Sequence, residues 1–117
     1  MALDSSGNIY VTGRVDTGLD GNSSNGGYDI FLIKFNSIGT KLWTKQKGTS
    51  GSDWGNDLIV DPSGNIYLTG ELDGNFLLKY NSSGNEQWTK EIGGNVSQSN
   101  ELALDSSGNI YVVGLAI

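Results

Sequence analysis

Short apolar runs separated by polar turns make up this chain. In its middle stand Leu58-Ile59-Val60, Ile66-Tyr67-Leu68-Thr69 and Phe76-Leu77-Leu78, with Gly, Ser, Asn and Asp collected between them. Runs of this length, rich in β-branched and aromatic residues, predict strands. Leu58–Val60 has no polar partner in alternation, as in a strand covered on both faces. Lys41–Gln46 (KLWTKQ) and Glu86–Glu91 (EQWTKE) alternate polar and apolar residues and carry charge, as an exposed outer strand should. No segment shows helical periodicity.

The pattern repeats. Asp4–Gly13 reads DSSGNIYVTG, Asp61–Gly70 reads DPSGNIYLTG and Asp105–Gly114 reads DSSGNIYVVG. Each copy reads as a strand end, a tight turn and a new strand. The Asp can accept bonds from turn amides, Pro62 presets φ for the second turn position, and Gly64 suits the left-handed position closing a short hairpin. Asp4, Gly7, Asp61, Gly64, Asp105 and Gly108 are therefore assigned to structural turns. Recurrence in every unit argues for that role, because a catalytic residue would normally occur once.

Between the decamers the units also align. FLIKFNSIGTKLWTK at 31–45 matches FLLKYNSSGNEQWTK at 76–90. The first unit is longer, and its extra residues fall within 14–28, a Gly/Asn/Ser-rich loop. Insertion in a loop with constancy in strands is what a repeat architecture predicts. The predicted order within the second unit is an inner strand at Leu58–Val60, a second at Asn65–Glu71, a third at Asn75–Tyr80 and an outer strand at Glu86–Glu91. The segments 48–56 and 93–99 read as connectors. Four hairpin-joined antiparallel strands in tandem are the grammar of a β-propeller blade. An up-and-down sandwich is the rival, and the buried first and polar fourth strands favour the propeller. The expectation is an all-β chain of about two and a half blades, an incomplete ring, forming one segment over 1–117 with units at 1–56, 57–100 and 101–117.

Composition narrows the chemistry. The chain of 117 residues has 18 Gly, one Pro, and neither Cys nor His. Thiolate and imidazole chemistry and the usual zinc sites are thereby removed. A net charge of −6 argues against binding duplex nucleic acid. No apolar run approaches the length of a membrane span. Met1 leads straight into the repeat, so no signal peptide is expected at the start of this sequence. Asn22, Asn81 and Asn95 each head an N-x-[ST] triplet, weighed as chance in an Asn- and Ser-rich chain.

The string GGYDIFLIKFNSIG followed by WTKQKGTSGSDWGNDLIVDPSGNIYLTG resembles the bacterial SBBP-type β-propeller repeat. Gly51-Ser52-Asp53, Asp61, Gly64-Asn65, Tyr67, Gly70, Asp29, Phe31, Lys34, Asn36 and Gly39 sit on that family's pattern. Asn75 reads as a replacement for the Asp at the position of Asp29, and 93–99 lacks an Asp matching Asp53. The resemblance implies a propeller of large secreted or surface-attached bacterial proteins, with no common enzymatic activity. Function on such a scaffold resides in whatever site is grafted onto it.

Three sets of residues could carry more than architecture. Asp16, Asp20, Asn22 and Asp29 offer oxygen ligands at short spacing, and Ca²⁺ is the one cofactor they point to. A solvated turn-rich loop is the competing reading, and the spacing is not that of an EF-hand. Trp54, assigned to a connector and without counterpart in the next unit, is the aromatic most available to a ligand, with Asp53 beside it. Trp43 and Trp88 occupy equivalent strand positions and read as blade packing. The expected function is a non-enzymatic repeat scaffold or protein-interaction segment, extracellular or on the cell surface. Its partners would be neighbouring blades, another protein or further copies of the chain, which would otherwise end on an uncovered apolar edge at Ile110–Ile117. The alternatives are a carbohydrate-binding module using Trp54 and the 14–28 loop, or part of a propeller-based hydrolase or lyase.

Overall fold

The computed structural model describes residues 1–93 and 96–116. Asn95 of the third N-x-[ST] triplet and Ile117 of the apolar edge lie outside the described residues. The described chain contains ten strands: β1 (Ala2–Leu3), β2 (Ile9–Val15), β3 (Asp29–Phe35), β4 (Lys41–Lys47), β5 (Trp54–Val60), β6 (Ile66–Glu71), β7 (Asn75–Tyr80), β8 (Glu86–Glu91), β9 (Val96–Leu104) and β10 (Ile110–Ala116). They form three antiparallel sheets in strict chain order, β1 to β4, β5 to β8, and the pair β9 and β10. Two four-stranded meanders and a third, two-stranded unit follow one another, as partial propeller blades.

Register assigns each side chain to a face, because neighbours along a strand alternate. In the first sheet Tyr10 pairs with Lys34, Thr12 with Leu32 and Arg14 with Ile30. These residues form its leading face, turned towards the second sheet. In the second sheet Ile66 pairs with Tyr80, Leu68 with Leu78 and Gly70 with Phe76, which forms its trailing face. The two faces meet. Tyr10, Ile30 and Leu32 from one sheet join Leu58, Ile66, Leu68, Phe76, Leu78 and Tyr80 from the other in one buried cluster. The hydrophobic core therefore lies between units, not within one. Trp43 packs against the cluster and its ring lies against the turn glycine Gly84 of the second unit. Lys47 crosses the same seam to Glu86 at 2.9 Å.

The second seam is more polar. Thr69 and Ser99 are buried there with Leu102. Asp57 Oδ2 accepts from Leu102 N, and Asn56 Nδ2 donates to Ser99 O, each at 2.9 Å, so two side chains of β5 bridge to β9.

Two strands begin earlier than their composition predicts. β5 starts at Trp54, within the segment read as connector 48–56, and β9 at Val96, within the segment read as connector 93–99. Both contain a register shift, between Gly55 and Asp57 in one and opposite Val113/Gly114 in the other. Such bulges bend an inner strand while keeping its ladder. They also account for the glycine ending each later decamer. A Cβ on Gly70 would collide with Trp54 O, and one on Gly114 with Gln98 O. Only glycine lets the bulged strand approach so closely.

Candidate functional site

The meander sends the two kinds of loop to opposite ends of the sheets. At one end lie the repeated tight turns. At the other lie loop 14–28, the connector 48–53, and Asp29, Trp54, Glu71 and Asn75 at strand termini.

The turn end is built three times over. Asp4 Oδ1 accepts from Ser6 N and Asn8 N, both at 2.9 Å, while Oδ2 accepts from Asn8 Nδ2 and the Tyr10 hydroxyl, both at 2.8 Å. Asp61 makes the same four contacts with Ser63, Asn65 and Tyr67, and Asp105 with Ser107, Asn109 and Tyr111. Gly7, Gly64 and Gly108 close these turns at φ of 82°, 84° and 82°, a conformation other residues rarely adopt. For Asp4 burial is the largest influence and acts upward, but donors from Asn8, Tyr10 and Ser6 together outweigh it and hold the carboxyl at about 2. Asp61 is lowered through the same opposition. At Asp105 the Asn109 side chain leads, and the carboxyl again lies at about 2. Burial, then the bonded Asp4, pushes the Tyr10 phenol well above its ordinary range. With four donors on each carboxylate, these groups lock the hairpin turns.

The loop end is not repetitive. Asp29, at the start of β3, is fully buried, and its Oδ2 accepts from Asn25 N, Asn25 Nδ2 and Gln46 Nε2 at 2.9, 3.2 and 2.9 Å. Asp53 is also fully buried. It accepts from Thr49 N at 2.6 Å, from the Thr49 hydroxyl and from Asp73 N, while its own amide donates to Tyr28 O. Asp53 thus fastens the connector, and its side chain does not share an open face with Trp54. Burial is what the one-dimensional pattern hid, since an Asp in a Gly/Ser stretch looks solvated.

The four oxygen-bearing residues of loop 14–28 and its border do not converge. Asp16 is exposed. Asp20 pairs with Lys41 at 3.0 Å and accepts from the Thr44 hydroxyl, which together lower its carboxyl, Thr44 first. Asn22 Nδ2 donates to Leu19 O. Asp29 is buried in the seam described above. No group of three His, Cys, Asp or Glu side chains placed to hold a metal occurs among the described residues. The loop is instead pinned to β4 by Gln46, whose Oε1 accepts from Leu19 N and whose Nε2 donates to Thr17 O. Gln46 escaped the sequence reading because its partners Leu19, Thr17 and Asp29 lie in other segments, and Thr49 because it meets Asp53 only when the connector folds back on itself.

Trp54 is the first residue of β5, opposite Glu71, and not part of a connector. It is half-buried between two clefts, one shared with Gly13, Arg14 and Asn56, the other with Glu71, Gln98 and Asn100. Arg14 lies 4.5 Å above the Tyr28 ring at the mouth of the loop. Trp43 and Trp88 lie against Tyr10 and Tyr67, with centroids 6.5 and 6.2 Å apart. Asn75, read as the counterpart of Asp29, stands in the register position of Ile30. It faces Glu71, the equivalent of Arg14, and Gly74 takes the place of Asp29.

Among curated proteins nothing matches the chain. A family description of a beta-propeller repeat, SBBP, matches residues 42–76 and 87–117, together more than half of the sequence. Each match begins at the second residue of a fourth strand, Leu42 in β4 and Gln87 in β8, and runs into the strands of the next sheet. The sequence repeat is thus out of phase with the sheet and carries the junction between units.

Proposed function

The chain belongs to the SBBP family of β-propeller repeats, and from that premise we propose that it is a non-enzymatic scaffold whose units continue front to back onto a second copy of itself. One observation carries this reading. The trailing face of the second unit, Ile66, Leu68, Phe76, Leu78 and Tyr80, is buried against the first unit. Its register equivalents on the first unit, Ile9, Val11, Phe31, Ile33 and Phe35, are just as apolar, yet remain only partly covered. At the far end the leading face of the third unit presents Tyr111, Val113 and Leu115, each more than half exposed. A face of this kind marks an association site. The interface already present inside the chain supplies the geometry, leading face onto trailing face, which is heterologous and can propagate or close. The family's implied setting, large secreted or surface-attached bacterial proteins with no common enzymatic activity, supports a binding rather than catalytic role outside the cytoplasm. Sedimentation velocity over a concentration series tests the proposal. The weight-average mass should rise with concentration, and Val113→Lys should weaken association at least about ten-fold. A mass fixed at one chain across the series, or a variant that associates equally well, would reject it.

A second reading, glycan binding, is favoured by Trp54 alone. Its ring edge is flanked by Arg14, Asn56, Glu71, Gln98 and Asn100, a combination of aromatic surface with amide and charged hydrogen-bonding groups that suits a sugar's alternating apolar and hydroxyl faces. A glycan array with wild type and Trp54→Ala decides it: binding lost in the variant supports the reading, and no binding at millimolar sugar removes it.

A further inference from the structure

The seam between loop 14–28 and the connector contains two fully buried carboxylates, Asp29 and Asp53. They converge on Gly48. A Cβ built there would overlap Asp29 Oδ1 and come within 3.1 Å of Asp53 Oδ2, which places the two oxygens no more than about 5 Å apart, the range in which like charges act strongly on each other. The ion pairs among the described residues are Lys41 with Asp20 and Lys47 with Glu86, and neither reaches this pair.

The second observation is independent of the acidic pairing. Asp29 Oδ1 is buried without any hydrogen-bond partner, alone in this respect among the described side chains. Every other oxygen of the two carboxylates is occupied: Asp29 Oδ2 by Asn25 and Gln46, and Asp53 by Thr49 and Asp73. In folded proteins a buried orphan acceptor marks the place of a water or an ion. A buried, unpartnered carboxyl oxygen that faces a second carboxyl group and takes part in no ion pair calls for a cation.

We propose that Asp29 and Asp53 together hold a hard divalent cation of the Ca²⁺ class, clamping loop 14–28 to the connector 48–53. Carboxylate oxygens are the ligands such ions prefer, with main-chain oxygens and water completing the shell. Gly48 is required because any side chain would fill the notch where the oxygens meet. The site differs from an exposed acidic loop, since Asp16 and Asp20 take no part. It also belongs to the first unit alone, because Gly74 occupies the place of Asp29 in the second. A cation here would rigidify the inserted loop beside Trp54 without altering the propeller repeat itself.

Terbium luminescence tests the site directly, since Tyr28 and Trp54 are chain neighbours of the two acids and can sensitise a bound lanthanide. The full chain, stripped with chelator, should bind one Tb³⁺ that Ca²⁺ displaces. Its thermal midpoint should rise by about 5 °C or more between chelator and millimolar Ca²⁺. Asp29→Asn should lower the sensitised emission at least ten-fold, whereas Asp20→Asn should leave it unchanged. Absence of Ca²⁺-competable emission in the wild-type chain, emission that survives Asp29→Asn, or emission that disappears in Asp20→Asn overturns the proposal. Hydrogen exchange on the wild-type chain makes the test independent of variant folding. Ca²⁺ should slow the amides of Asn25 and Thr49 and leave that of Ser63 at the turn end untouched; unchanged exchange at Asn25 and Thr49 also overturns it.

Discussion

Removing one hydroxyl at a time from Tyr10, Tyr67 and Tyr111 probes a single hydrogen bond placed in three surroundings. Each phenol donates to the turn Asp six residues earlier, at 2.8, 3.2 and 2.8 Å. What differs is cover: Tyr10 is 0% exposed, Tyr67 7% and Tyr111 53%. A bond to a charged acceptor contributes about 1.5–3 kcal/mol where the partner left behind cannot be hydrated, and little where water replaces the lost donor. Tyr10→Phe should therefore cost about 1.5 kcal/mol, the lower end of that range, because the acceptor Asp4 is only half-buried and keeps three other donors. Tyr67→Phe, with its longer bond, should cost about 1 kcal/mol, and Tyr111→Phe, where water replaces the lost donor, should leave the unfolding midpoint unchanged. Urea unfolding in dilute solution, followed by tryptophan fluorescence, measures the series as shifts of midpoint at constant slope. If Tyr111→Phe costs as much as Tyr10→Phe, the effect is a property of the local turn and the argument from inter-unit burial fails.

Acid should weaken the turns. Asp4 and Asp105 are held at about 2, with Asp61 lowered as well. A folded-state value below the unfolded one means that the stabilisation is complete above the ordinary carboxylate range, near pH 4, and disappears as pH falls towards about 2. Thermal midpoints recorded from pH 5 downwards should drop across that window, and Asp61→Asn should flatten the drop. Gly70→Ala should destabilise by about 1–3 kcal/mol, because its methyl meets main-chain atoms of Trp54 and Gly55 that cannot swing aside; a chemical denaturation midpoint equal to wild type would contradict the close approach of β5. Leu78→Ala, at the centre of the inter-unit core, should cost about 2–5 kcal/mol by the same assay.

Legibility in the sequence followed the physics of each element. β7 and β8 could be bounded to the residue because turn residues flank a dense apolar or alternating run. The beginnings of β5 and β9 could not, since WGN at 54–56 and VSQSN at 96–100 carry loop composition and join their sheets only through pairing across a bulge to a glycine. That pairing is tertiary, and propensity yields to it. The turn aspartates were legible through recurrence. The Tyr of the decamer, which completes each carboxylate's bonding, looked only like a strand residue. Asp29 and Asp53 were flagged on the family pattern, but their burial and their approach across Gly48 depend on a loop and a connector folding together. Neither segment has a hydrophobic pattern that would reveal it.

The claim on which the rest stands is that the first two units share one core. Two single-tryptophan variants report on the two units separately: one retains Trp43, which lies against Tyr10, and the other Trp88, which lies against Tyr67, with the remaining tryptophans changed to Phe. If the core is shared, Leu32→Ala in the first unit will shift the urea midpoints seen by both probes equally. A Leu32→Ala shift seen by Trp43 while Trp88 keeps its own unchanged midpoint would show two independently folded sheets and contradict the account.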